Sequence, residues 1–142
     1  MALLYNPAYE SEETPMTHKR LRAVTAFFAV GLLLQGTSTL LFRLVPALDR
    51  AFPALLATTM MIVPHSILHI ASGLLALYVL KFGGPAAPFW FLLGFGAFYT
   101  ALAILGATTG GQFGLGLQPF DHGIHIVLGV VGLGSALLSL RS

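Results

Sequence analysis

The chain has no cysteine, and only 8% of its 142 residues are charged. Without cysteine there are no disulfides, no thiolate metal sites and no redox-active thiol pair, so thiol oxidoreductase chemistry is excluded. Seven Lys and Arg and five Asp and Glu are too few to keep a soluble surface wet around a chain that is 56% hydrophobic. The same scarcity gives no basic stripe for nucleic acid. A secretory leader is not expected either. Such a leader opens with positive charge and then an apolar run, whereas residues 1–16 carry Glu10, Glu12 and Glu13 with Pro7 and Pro15. This stretch reads as part of a polar tail, residues 1–18, whose Tyr5 and Tyr9 could dock at a partner or at the lipid headgroups.

What remains is apolar sequence in four runs, each near the roughly 20 residues that a membrane-crossing helix requires. They cover about 21–42, 61–80, 88–107 and 121–140. Basic residues flank the first run: Lys19, Arg20 and Arg22 before it and Arg43 after it. The second run has a diffuse start, so residues 48–60 are assigned to an interfacial segment, with Pro64 in the first turn of the span. The fourth follows Pro119, with Asp121 as a candidate N-cap. The expectation is an all-α integral membrane four-helix bundle, residues 19–142, preceded by the tail.

Lys19, Arg20, Arg22, Lys81 and Arg141 fall on one side of these spans, and Arg43 and Arg50 on the other. By the positive-inside rule both termini face the cytoplasm.

The second and fourth runs open alike. One reads Leu68-His69-Ile70-Ala71-Ser72-Gly73, and the other Ile124-His125-Ile126-Val127-Leu128-Gly129. Phe27 to Gly31 and Trp90 to Gly94 match more weakly. The pattern predicts a bundle built from two repeated αα-hairpins, related by an axis along the membrane normal. On these residues the chain resembles a family of uncharacterised bacterial four-helix membrane proteins, a domain of unknown function. Its signatures are Leu-His-x-x-x-Gly in helix two and Asp-Asn-x-Leu-His-x-x-x-Gly in helix four. Leu68, His69 and Gly73 match the first, and Asp121, His125 and Gly129 the second. His122 stands where the family has Asn, and Ile124 where it has Leu. The resemblance implies the fold, a bacterial inner membrane or a related internal one as its location, and no activity.

Four of the five histidines lie in these signatures. His65 and His69 are spaced i, i+4, and His122 and His125 i, i+3, so each pair lies on one side of its helix near the same membrane face. One reading is structural: imidazoles hydrogen-bonding between helices, Asp121 orienting His125 or capping its helix, and Gly73 and Gly129 letting neighbours approach. The other is a cofactor site, with His69 and His125 as principal ligands, His65 and His122 as helpers, and Asp121 as the orienting carboxylate. Imidazole ligates transition metals and also haem iron and related pigments. A di-iron oxidase needs more histidines and carboxylates than are present. No mid-membrane charge marks a transport path.

No catalytic set emerges. The expected function is therefore a non-enzymatic structural or accessory subunit, partnered by the lipid bilayer and by a larger membrane complex or further copies of itself. The alternative is a binder of haem, a chlorophyll-type pigment or a transition metal.

Overall fold

Lipid offers no hydrogen-bond partner to the backbone, so apolar runs of this length must satisfy their N–H and C=O groups internally, as helices. A computed structural model describes residues 15–141. In chain order its helices are α1 (Pro15–Leu44), α2 (Pro46–Ala51), α3 (Ala54–Thr59), α4 (Val63–Phe82), α5 (Ala87–Thr109) and α6 (Pro119–Ser139). α1, α4, α5 and α6 are each long and apolar enough to cross a membrane. The chain is an all-α four-helix membrane bundle.

α1 begins at Pro15, so the last residues assigned to the polar tail are helical, and the earlier ones lie outside the described residues. Its 30 residues rise about 45 Å at 1.5 Å each, more than a hydrocarbon core of about 30 Å, so α1 extends beyond the apolar layer. Residues 46–59 form two short helices distinct from α4. The separation has a backbone cause: Met60 takes the left-handed conformation (φ 48°) and Ile62 is extended, which ends one helix and starts the next. α6 starts earlier than the sequence suggests. Gln118 is its N-cap, Pro119 occupies the first turn, and Asp121 sits at N3. An Asp121 carboxylate oxygen accepts from the Gln118 backbone N–H at 2.7 Å, half of a capping box.

α1 packs most extensively on α4, and α5 on α6. In the first pair Arg22 near the start of α1 donates to the Leu80 carbonyl near the end of α4 at 3.0 Å. Thr39 and Ser66 share a 2.9 Å hydroxyl hydrogen bond at the other end, so the pair is antiparallel.

Close approach rests on particular glycines. A Cβ on Gly36 would lie 2.7 Å from the Ser66 carbonyl oxygen, and one on Gly73 would lie 2.7 Å from Leu33 Cγ. In the second pair a Cβ on Gly96 would lie 2.5 Å from the Leu133 nitrogen, and one on Gly129 would collide with the Thr100 hydroxyl. Gly31, Gly94 and Gly134 face open space. Between the pairs, Phe28 stacks on Phe95 (centroids 4.7 Å), which packs on Tyr99 (4.4 Å) and Phe91 (5.3 Å). This aromatic column and Leu21, Ala29, Leu32, Leu92 and Ala136 form the core. Large apolar side chains such as Phe27, Leu34, Trp90 and Leu138 point outward, where a bilayer solvates them.

Candidate metal centre

Counting from Val63 and from Pro119, His69 and His125 are each the seventh residue of their helix. Both helices run inward from the same end of the bundle, so the two imidazoles reach the same depth, about 9 Å from the helix starts at 1.5 Å per residue. His65 stands one turn before His69 on the same side of α4. The three rings meet where α4 and α6, which otherwise barely touch, approach one another.

Ring centroids are 4.7 Å apart for His65 and His69, 5.5 Å for His65 and His125, and 6.2 Å for His69 and His125, all edge-on. One nitrogen from each ring can be chosen so that all three lie within 4.8 Å of one another. Each of the three residues is only 1% exposed. Both nitrogens of His65, both of His69 and Nδ1 of His125 have no hydrogen-bond partner. A neutral imidazole has one donor and one acceptor, and burying either unsatisfied costs about 1–3 kcal/mol. Five orphaned nitrogens in one spot call for a ligand with matching chemistry.

A transition-metal ion has that chemistry. Three imidazole nitrogens about 2.0–2.1 Å from a tetrahedral ion stand about 3.3 Å from each other, a modest closure of the trio from its present spacing. The set also leaves a fourth coordination position. A flat macrocycle fits poorly, because edge-on rings this close leave no slot for a plate between them.

His122 is not part of the trio. Three residues before His125, it lays its ring over Gly106 of α5, whose Cβ, if present, would lie 2.5 Å from His122 Cε1. His18, near the start of α1, belongs to the opposite end of the bundle. Asp121 is buried and within Coulombic reach of His65 and His125. Its observed hydrogen bond is the helix cap at Gln118, and no bond from it reaches His125 Nδ1.

Tyr99 is the residue that sequence reasoning did not single out. Fully buried on α5, its ring packs 5.1 Å from His125 and 6.3 Å from His69, and its hydroxyl donates to Ser72 Oγ at 3.5 Å. It packs against the histidines from the α5 side. A tyrosine beside Thr100 within an otherwise apolar run is the only local hint of such a role.

No protein-family model, no curated protein and no solved structure matches this chain.

Proposed function

We propose that this integral membrane protein binds one first-row transition-metal ion through His65, His69 and His125. The observation that carries the reading is the meeting of three fully buried imidazoles, five of whose six nitrogens are buried with no hydrogen-bond partner. Imidazole sets of this kind suit Zn, Cu, Ni or Fe, and the absence of thiolates and the exclusion of carboxylates from the trio disfavour softer and harder ions. Of the two functions expected from the sequence, a packing subunit and a cofactor binder, the geometry favours the binder. Among its cofactors it favours an ion over haem or a pigment.

The wider assignments belong to the same proposal. Membership of the four-helix family of unknown function, and duplication of one hairpin, are supported by the pairing of α1 with α4 and α5 with α6. A glycine at the eleventh position of both α4 and α6, four residues after His69 and His125, supports them too. An orientation with both termini in the cytoplasm rests on the distribution of Lys and Arg, and an N-terminal reporter found outside the cell would reverse it.

The test uses the purified protein in mild detergent, its metal content measured as isolated and after loading with Co(II). The expected result is close to one equivalent per chain and a tetrahedral Co(II) absorption band. His69→Ala and His125→Ala should lose both, while His122→Ala keeps them. Failure of the wild type to bind any of these ions, or equal loading of the His69 and His125 variants, would overturn the proposal. A Soret band in the protein as isolated would overturn the choice of an ion over haem.

A further inference from the structure

Two irregular segments connect helices at the histidine end of the bundle. Residues 60–62 join α3 to α4, with Met60 in the left-handed region and Ile62 extended. Residues 110–118 join α5 to α6, with Gly110, Gly114 and Gly116 at positive φ. The segments meet at Gly116, where a Cβ would lie 3.0 Å from Ile62 Cδ1, so the isoleucine rests on the glycine backbone. Arg43, near the end of α1, ties the first segment down by donating from Nε to the Met61 carbonyl at 2.8 Å.

Beside this contact is a hollow of about 520 Å³, lined among others by Arg43, Asp49, Ala57, Ile62, Gln112 and Gln118. Its rim at Arg43, Ala57 and Gln112 is exposed. A divalent ion with about six waters takes up about 180 Å³, at about 30 Å³ per water, so the hollow admits it with its hydration intact. The floor leads toward the metal centre. Ile62 is the N-cap of α4 and Gln118 that of α6. His65 and His125 follow them, about 4.5 and about 10 Å deeper along the helices. Asp121 lies on the way, accepting from the Gln118 backbone N–H and acting electrostatically on His65 and His125.

Sideways approaches do not suit an ion. The cleft at Tyr99 between α4 and α5 has mainly apolar walls, as does the cleft at Ile124 and Leu128 between α1 and α6. Both lie along the flanks of spanning helices, and charge enters hydrocarbon only at high cost.

We propose that the hollow is the entry vestibule of the metal centre, taking a hydrated divalent cation from the aqueous side at the histidine end. Asp49 draws the ion in, and the ion passes Ile62 to reach the histidines. Arg43 repels it and pins the segment that carries Ile62, which makes entry slow and retention long. The route rests on the metal-binding reading and adds to it the form in which the ion arrives.

Stopped-flow uptake of Co(II) by the protein in phosphatidylcholine nanodiscs, read by its absorption band, tests the route. At low ionic strength Asp49→Asn should load about fourfold more slowly, the Coulomb factor for a divalent ion about 10 Å from one charge in water. In about 1 M salt that difference should vanish. Ile62→Ala should raise uptake and release into EDTA by a common factor and leave the affinity unchanged. The chain has no cysteine of its own, so Ala57→Cys offers a single thiol to a bulky water-soluble reagent. Labelling it should block uptake, whereas labelling Arg141→Cys should not. Labelled and unlabelled samples of one variant are compared, so a folding defect cannot mimic the block. A wild type that takes up no Co(II) refutes the metal centre and the route together. A wild type that loads at a rate altered neither by Asp49→Asn nor by labelling Ala57→Cys refutes the route alone. Uptake blocked by labelling Arg141→Cys instead would put the entrance at the other end and equally overturn it.

Discussion

Gly96→Ala is the sharpest test of how the second helix pair is held, and Gly94→Ala, two residues away on α5, is its control. A methyl group at 96 would sit 2.5 Å from the Leu133 backbone nitrogen and 2.8 Å from the Gly129 carbonyl oxygen. Ordinary contact is about 1 Å longer, and neither atom is the tip of a flexible side chain that can swing away, so α5 and α6 must move apart. Overpacking of this sort costs about 1–3 kcal/mol. At 94 the same methyl group meets nothing within 4 Å, and alanine's better helix propensity should leave stability unchanged or raise it by up to about 1 kcal/mol. The assay is SDS-induced unfolding of the purified proteins in detergent, followed by circular dichroism. The two variants should differ by at least about 1 kcal/mol, with Gly96→Ala the weaker. Because His125 is on the displaced helix, Gly96→Ala should also reduce Co(II) affinity, and Gly94→Ala should not. Equal unfolding of the two proteins would refute the claim that backbone contact at Gly96 sets the spacing.

Two further outcomes are expected. The Thr39–Ser66 hydroxyl bond joins α1 to α4, and a double-mutant cycle of Thr39→Val and Ser66→Ala should give a coupling of about 0.6 kcal/mol, typical of interhelical hydrogen bonds in membranes; a coupling of zero would remove it from the account. An ion at the three histidines competes with protons for the same nitrogens, so its apparent affinity should fall as the pH is lowered from about 7 to about 5. The Co(II) absorption band measures this directly, and a band insensitive to acidification would argue against imidazole ligation.

The bundle was legible because lipid leaves a long apolar run little choice but helix, and because Pro64 and Pro119 mark where two of the helices begin. The histidine pairs were legible too, but which members converge was not. Residues i and i+3 differ by about 60° around a helix and i and i+4 by about 40°. That small difference, with the rotation that α6 takes against α5, turns His122 onto Gly106 while His125 faces α4. Spacing alone cannot supply the rotation. Asp121 offered two roles of equal merit in the sequence, and the observed hydrogen bond follows from Gln118, not Asp121, being the N-cap. Tyr99 could not be placed because an apolar run does not reveal which of its faces meets a neighbour. Aligning Gly31 with Gly94 matched two glycines that meet nothing, whereas Gly36, Gly96 and Gly106 lie at the close contacts.

α1 with α4 and α5 with α6 are each tightly paired, and the two pairs touch one another over a smaller area. The imidazoles are contributed unequally, two by one pair and one by the other. An ion held among them would therefore rivet two halves that are otherwise joined mainly by the aromatic column. Since only the closed arrangement offers all three nitrogens, occupancy and closure are thermodynamically linked, and each tenfold rise in free ion above its dissociation constant would stabilise the closed bundle by about 1.4 kcal/mol. The firmness of the whole fold would then report how much of the ion the surrounding medium contains.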